Sequence, residues 1–229
     1  MQFTIKELLE KYQVIVPQLQ RDYAQGRASE LDLRKSFVVK IKKALQNDTK
    51  SLNLDFVYGY TEKSSTDNIA FVPLDGQQRL TTLWLMLWFL SPRENNTICI
   101  DNQKFLTNFT YETRLSSKRF CHNLVVQSLS LQTDKLISEQ ITDAPWFMAS
   151  WGNDPTILSM LNMLDTLQEE MIEKDIAWEN LANNKKITFD YIDIKSEEFK
   201  LTDELYIKMN SRGKPLTSFE NFKAQFSSL

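Results

Sequence analysis

The segment from Leu80 to Leu90 constrains the fold of this 229-residue chain more than any other part of the sequence. Its apolar residues cover every side of a helix, so no face of that helix is suited to contact with water. The segment contains two threonines and is far shorter than the roughly 20 apolar residues that cross a bilayer. We therefore predict a central core helix that the other elements surround.

Alternation of apolar and polar residues, which is typical of β-strands, precedes this helix. Residues 55–60 and 68–74 have this pattern, and the polar residues between them predict a β-hairpin. Further strand-like segments are 14–16, 97–111 and 186–194. Apolar residues at helical spacing predict helices at 4–12, 29–46, 114–128, 155–171, 203–209 and from 217 onward.

The character of the sequence changes near residue 92. Residues 1–92 combine predicted strands with the core helix, whereas residues 93–229 have mainly helical patterns. We predict a core at 1–92 and a mainly helical extension at 93–229 that packs on it. Helical periodicity is still running at Leu229, so we expect this chain to belong to a longer protein.

The single histidine, His122, excludes several enzyme classes at once. A histidine-type zinc site, an HNH nuclease centre and a pair of histidine phosphodiesterase motifs each need more than one imidazole. The net charge of −3 gives no overall attraction to nucleic acid, so a DNA contact would need a local basic patch. We interpret His122 as a structural or surface residue, and the lysines at 40, 42 and 43 as a solvated helix face.

The N-terminus lacks the basic and then apolar regions of a signal peptide. Cys99 and Cys121 lack the spacing of metal ligands. Because nothing indicates secretion, reduced thiols in the core are favoured over a disulfide. We expect a cytoplasmic protein without a membrane segment.

The strongest local motif is Asp75-Gly76-Gln77-Gln78-Arg79, between a predicted strand and the core helix. A strand-to-helix turn presents backbone N–H groups that bind phosphate, and the Arg79 guanidinium matches phosphate oxygens. Helix capping is the competing interpretation, because Asp75 is a good N-cap and Gln78 could complete a capping box. A capping carboxylate would repel phosphate unless Mg²⁺ bridges the two or Asp75 turns away. The spacing alone does not separate these interpretations.

Two polar segments are further candidates for binding. Gln20–Tyr23 follows a predicted strand and contains arginine and tyrosine, although a solvated loop explains it more simply. In Asn210–Thr217, Arg212 and Lys214 flank a glycine just before a predicted helix and could form an anion clamp. A turn between helices with exposed charges explains the same pattern.

Together these motifs resemble the N-terminal domain of GmrSD-type, modification-dependent restriction endonucleases. Pro17–Tyr23 resembles the family's opening segment, in which proline precedes a Gln-Arg pair and an aromatic residue. Leu74–Leu83 resembles its signature, and Leu205–Thr217 resembles its closing motif. The three motifs extend over nearly the whole chain. One departure is the Ala-Gln-Gly sequence at 24–26, where members often have another aromatic residue.

The resemblance implies an α+β fold with a ParB/sulfiredoxin-like core, a small mixed sheet and the mainly helical extension. It implies a domain that binds or hydrolyses a nucleoside triphosphate with Mg²⁺ and so regulates a downstream HNH-type nuclease domain, fused or separate. The expected setting is bacterial defence against phage with modified DNA, which the full-length protein would contact. The chain by itself is not expected to be a nuclease.

The resemblance also implies roles for individual residues. Asp75, Gln78 and Arg79 form the expected catalytic group. Arg79 binds phosphate, Gln78 orients a water or the phosphate, and Asp75 holds Mg²⁺ or positions the loop. The expected nucleotide-binding residues are Gln20, Arg21, Tyr23, Gly76, Gln77, Arg79, Asn210, Arg212 and Lys214.

Functions of three classes remain open at this point. An NTP-hydrolysing regulatory domain predicts Mg²⁺-dependent phosphate release that Arg79→Ala abolishes. A module that binds a nucleotide or modified DNA predicts binding without turnover. A protein-interaction domain predicts no nucleotide dependence, and adjacent glutamines followed by arginine at a helix start disfavour it. The preferred nucleotide and the oligomeric state do not follow from the sequence.

Overall fold

The structure is a computed structural model that describes residues 1–17, 23–47, 49–63, 69–112, 114–171, 176 and 178–194. The strands are β1 (Gln2–Phe3), β2 (Gln13–Val16), β3 (Leu52–Lys63), β4 (Ile69–Pro73), β5 (Arg93–Glu94), β6 (Thr97–Ile98), β7 (Phe109–Tyr111) and β8 (Ile187–Asp193). The α-helices are α1 (Ile5–Lys11), α2 (Leu31–Leu45), α3 (Gln77–Leu90), α4 (Ile100–Leu106), α5 (Leu115–Val126), α6 (Ile137–Thr142), α7 (Pro155–Met171) and α8 (Trp178–Ala182). Short 3₁₀ helices span Ala24–Gly26, Ala28–Glu30 and Ala149–Asn153.

Strands from both ends of the described chain form one mixed sheet in the order β1-β8-β3-β4-β2-β7. β3 pairs antiparallel with β4, as the predicted hairpin requires, and β1 pairs antiparallel with β8. The pairs β2–β4, β2–β7 and β3–β8 are parallel. β5 and β6 form a separate hairpin. The predicted α+β class with a small mixed sheet is confirmed.

Helix α3 is the core helix that its sequence predicts. Trp84 and Trp88 are fully buried, and each indole N–H donates to a backbone carbonyl: Trp84 to Leu106 at 3.0 Å and Trp88 to Leu124 at 2.7 Å. Burying an N–H group without an acceptor costs free energy. These two hydrogen bonds therefore restrict how α3 can pack against its neighbours, beyond what apolar contact alone requires. They fix α4 and α5 against α3.

The helix predicted from Asp154-Pro155 is confirmed as α7. The Asp154 carboxylate accepts hydrogen bonds from the backbone amide of Thr156 (2.9 Å) and the hydroxyl of Ser117 (2.7 Å), and Arg114 lies 3.4 Å away. The apolar positions predicted for its inner face are all buried: Ile157, Met160, Leu161, Leu164, Leu167 and Met171. The aspartate therefore starts α7 and also ties it to α5.

The strand predicted over 97–111 is wrong for most of its length. Only its two ends form strands, β6 and β7, and the residues between them form α4. Phe105 and Leu106 are buried in this helix, whereas Ile100 is exposed. Periodicity in so short a segment does not distinguish a helical turn from a strand.

Both predicted parts of the chain contribute to the six-stranded sheet. β8, from the predicted extension, lies between β1 and β3, and β7 lies beside β2. α7 packs against α2, α3 and Ala24–Gly26. The division of the chain into parts 1–92 and 93–229 stays a prediction. Strands from both parts belong to the same sheet.

Both cysteines are free thiols. Cys121 is buried as expected, but Cys99 is partly exposed, so only one of them belongs to the core. Among the helices of the described chain, none has the length and apolar character needed to cross a membrane.

Candidate functional site

β4 leads into α3 through a tight turn that requires glycine. The backbone amides of Leu74 and Asp75 both donate to the carbonyl of Tyr58, at 2.8 and 3.1 Å. Gly76 follows with a φ of 85°, in the left-handed region that favours glycine. A Cβ at this position would lie 2.7 Å from Cγ2 of Val57. The positive φ and the close contact with Val57 therefore both require glycine at position 76.

Asp75 does not cap α3, so the capping interpretation of Asp75 and Gln78 is wrong. Gly76 is the N-cap residue, and no side chain makes a capping bond. The Asp75 carboxylate instead lies 3.2 Å from Nη2 of Arg79, one helical turn further on. Asp75 is thus turned away from the helix end, which is one of the two arrangements that relieve repulsion of a phosphate.

Arg79 is bonded mainly to the backbone of β3. Its Nη1 donates to the carbonyl of Leu54, and its Nη2 donates to the carbonyl of Phe56 at 2.7 Å. The β3–β8 register shifts between Asn53 and Phe56, and Asp55 inside this bulge has a φ of 65°. A bulge interrupts the regular ladder, and Arg79 donates to the carbonyls of the two residues that flank Asp55.

An open cavity of about 420 Å³ lies beside Arg79, between α2 and the beginning of β3. Its lining residues are Phe37, Lys40, Asn53, Leu54, Asp55, Asp75 and Arg79. Two cations and two carboxylates therefore share one space. Sequence reasoning assigned Lys40 to a solvated helix face and missed Asn53 and Asp55, because only the packing of α2 beside β3 brings these residues together.

The two glutamines of the signature lie outside this cavity. Successive residues of an α-helix point about 100° apart, so neighbours in sequence face different surroundings. Nε2 of Gln77 donates to the carbonyl of Pro73 at 2.6 Å, and Oε1 of Gln78 accepts from the backbone amide of Gln25 at 3.0 Å. The signature therefore ties α3 to β3, to β4 and to the residues that follow the first motif.

Tyr23, the last residue of the first motif, lies in the core. Its side chain is fully buried, and its hydroxyl lies 2.6 Å from Oγ1 of Thr82. Burial raises the pKa of the phenol well above its usual range. Its assignment to nucleotide binding stays a prediction, and in the structure Tyr23 anchors the segment that follows the first motif.

Helix α7 holds that segment from the other side. Nδ2 of Asn162 donates to the carbonyl of Gly26 at 3.0 Å, and a Cβ on Gly26 would lie 2.0 Å from the carbonyl oxygen of Ser159. The buried Arg34 donates to the carbonyl of Arg27 at 2.8 Å. The segment after the first motif is therefore fixed between α3 and α7.

Five predicted binding residues lie outside the residues that the structure describes: Gln20, Arg21, Asn210, Arg212 and Lys214. Their assignment stays a prediction from the resemblance. The described part of the site consists of the glycine turn, the Arg79 bonds and the cavity beside them.

Asp55 and Asp75 are the cavity's candidates for holding a metal ion. Within the described residues, no three His, Cys, Asp or Glu side chains form a group that could hold one. Mg²⁺ is typically bound through one or two carboxylates together with substrate phosphates, and these two aspartates are ligands of that chemical type. Burial, and secondarily the negative charge of Asp75, raises the pKa of the nearby Tyr58.

Two comparisons with known proteins bear on the family to which the chain belongs. No curated protein matches the chain in sequence. The sequence model of one family, described as the GmrSD restriction endonuclease, N-terminal domain, matches residues 5–227. That match includes the first motif, the signature at the start of α3 and the closing motif. The chain therefore belongs to the family of GmrSD restriction endonuclease N-terminal domains.

Proposed function

We propose that this domain binds a nucleoside triphosphate in the cavity beside Arg79 and hydrolyses it with Mg²⁺. In this proposal the fold is a nucleotide-binding core of the ParB/sulfiredoxin kind. Nucleotide binding regulates an HNH-type nuclease domain, fused or separate, within a restriction endonuclease that acts on modified phage DNA. DNA is contacted by the full-length protein.

The charge pattern of the cavity is the observation that carries the proposal. Lys40 and Arg79 supply positive charge, and the adjoining amino terminus of α3 adds the partial positive charge of a helix dipole. Phe37 offers an apolar wall for the nucleoside. The cavity volume of about 420 Å³ falls within the roughly 300–1,000 Å³ typical of ligand pockets.

The two cations have different parts in this proposal. Because Arg79 already donates to two carbonyls, it acts on phosphate mainly through its charge and by holding the turn in shape. Lys40 is exposed on α2, and its flexible side chain carries the ammonium group that reaches the phosphates. Lys40 therefore joins the proposed binding residues.

The carboxylates supply the remaining part of the proposed chemistry. Asp75 and Asp55 would hold Mg²⁺, which would supply positive charge to neutralise the phosphates. Gln78 orients the attacking water only if it exchanges its bond to the Gln25 amide, since that bond occupies its carbonyl oxygen. The same bond favours the second candidate, a module that binds nucleotide without turnover.

Calorimetric titration of the chain with ATP, GTP, CTP and UTP, with and without Mg²⁺, tests the binding step. Lys40→Gln is the test variant, because it removes one cavity cation without touching the Arg79 bonds. Lys43→Gln is its control, with the same charge change on the same helix outside the cavity lining. We expect saturable binding that Lys40→Gln weakens about tenfold, the loss of one charge-assisted contact, and that Lys43→Gln leaves unchanged.

Two further results decide between the candidates. Phosphate release that depends on Mg²⁺ and is lost in Asp75→Asn, with binding retained, supports hydrolysis. Binding without phosphate release supports the non-hydrolytic module. Equal binding by the Lys40 and Lys43 variants, or no binding of any of the four nucleotides, would overturn the proposed site.

A further inference from the structure

A second cavity, of about 330 Å³, lies between α5 and the amino-terminal ends of β2 and β7. Its lining includes Gln13, Phe109, Leu115, Lys118, Arg119 and His122. None of them lines the cavity beside Arg79. Gln13 pairs with Ala70 at the start of β4, whereas Asp75 follows the other end of that strand, roughly 16 Å further along the sheet. The two cavities are therefore separate sites.

The side of α5 that faces this cavity is basic. Lys118, Arg119 and His122 lie three, four and seven residues after Leu115, so all four share one helix face. The lining contains no aspartate or glutamate. A local concentration of cations is notable in a chain with a net charge of −3.

The three basic side chains on this face have no protein partner in the described part of the chain. Some exposed lysines elsewhere are paired with carboxylates, namely Lys104 with Asp101 at 2.7 Å and Lys135 with Asp143 at 2.5 Å. By contrast, the side chains of Lys118, Arg119 and His122 make no hydrogen bond or ion pair with any described residue. Their donors are thus available to a ligand.

Phe109 and Leu115 make part of the cavity lining apolar. Phe109 is 1% exposed, and its ring stacks on Trp84 with centroids 4.9 Å apart and an interplanar angle of 19°. Leu115, 61% exposed, adds apolar surface at the rim, and Thr110 and Asn123 add polar groups. The cavity therefore combines an anion-binding side with a surface for an organic group.

A phosphate monoester matches this combination. It carries about −1.5 to −2 charge at pH 7 and three strong acceptor oxygens, which suits the two permanent cations and the imidazole. The size of about 330 Å³ lies at the small end of ligand pockets, which suits one mononucleotide-sized molecule and excludes a duplex. We propose that this cavity is a second binding site, specific for the phosphate monoester of a mononucleotide-sized organic group.

The test uses the only histidine of the chain as its reporter. The imidazole NMR signals of His122 are unique, so they are followed at fixed pH and ionic strength while adenosine 5′-monophosphate is added to the chain. Inorganic phosphate, adenosine and sodium chloride are the comparison probes. We expect a saturable shift with the monophosphate, a weaker one with phosphate, and none with adenosine or chloride.

Matched variants locate the effect. Arg119→Gln should weaken the binding of the monophosphate about tenfold, whereas Lys40→Gln, in the other cavity, should leave it unchanged. A non-saturable shift, a shift reproduced by chloride, or equal affinity in the Arg119→Gln variant would overturn the proposal. These outcomes are independent of whether a triphosphate binds beside Arg79.

A short oligonucleotide with a 5′-phosphate distinguishes the sources of the monoester. If the oligonucleotide binds more tightly than the free monophosphate, the ligand is a nucleic-acid end. If the free monophosphate binds more tightly, the ligand is a metabolite. Both results support a monoester site. Equal binding of the same oligonucleotide with a 5′-hydroxyl would overturn it, because diester recognition would then explain the cations.

Discussion

The backbone amide of Gln25 donates a hydrogen bond of 3.0 Å to the side-chain oxygen of Gln78, 53 residues further along the chain. This contact joins the segment that follows the first motif to the start of the core helix. Gly26, the next residue, is in turn bonded to Asn162 of α7. A change at the signature turn can therefore reach α7 through a continuous set of contacts.

Gln78→Ala should loosen the segment after the first motif. The variant leaves the partly buried Gln25 amide without its acceptor, which costs about 1–3 kcal/mol. We expect faster hydrogen exchange at the Gln25 amide and a lower free energy of unfolding. Gln127→Ala, at an exposed position, is the control. Unchanged exchange at Gln25 in the Gln78 variant would show that this bond does not hold the segment.

Gly76→Ala should be strongly destabilising. The left-handed conformation costs a non-glycine residue about 1–2 kcal/mol, and contact with Val57 adds about 1–3 kcal/mol of overpacking. Gly152→Ala is the matched control, because a Cβ there meets nothing within 4 Å. Urea unfolding measures both variants. Similar unfolding midpoints for the two would contradict the structural requirement for glycine at 76.

Arg79→Lys should destabilise the fold although it keeps the charge. Lysine lacks the fork that reaches two carbonyls at once, so the bonds to Leu54 and Phe56 cannot both survive. We expect a loss of about 1–3 kcal/mol in the free energy of unfolding, measured by urea titration. Lys40→Gln, in the same cavity, should cost less than about 0.5 kcal/mol. Full stability of Arg79→Lys would mean that these bonds contribute nothing.

Tyr23→Phe should reduce the loss of stability at high pH. Burial holds the pKa of Tyr23 in the folded protein above the ordinary value of about 10. The unfolded chain therefore releases this proton first, so stability is full below about pH 10 and falls above it by up to about 1.4 kcal/mol per pH unit. Removing the hydroxyl should make that slope shallower, with the partly exposed Tyr60→Phe as comparison. An identical slope in Tyr23→Phe would contradict the buried, protonated state.

The two thiols should react at different rates. Burial, and secondarily the charge of Asp154, raises the pKa of Cys121, which keeps this thiol protonated and unreactive. Cys99 is partly exposed. A thiol reagent should label one cysteine in the native protein and both after denaturation, and Cys99→Ser should abolish the native labelling. Two fast thiols in the native protein would be inconsistent with the packing of α5.

The elements with strong local signals could be predicted from sequence. The apolar run of α3 permits only a buried helix, and Asp154-Pro155 marks the start of α7, because caps and amphipathic faces are properties of neighbouring residues. The strand prediction for residues 97–111 was wrong because this segment has no such local signal. Its short apolar runs fit either a strand or a helical turn, and packing of Phe105 and Leu106 decided between them.

The sequence by itself determined the family, through three ordered motifs, and the position of the glycine turn, through residue types that only such a turn requires. The tertiary structure alone decided which partners those residues have. Asp75 pairs with Arg79 instead of capping α3, and Arg79 reaches into a bulge of β3. Lys40 and Asp55 enter the same cavity from different elements. Contacts between segments far apart in sequence depend on how whole elements pack, and no local pattern encodes that packing.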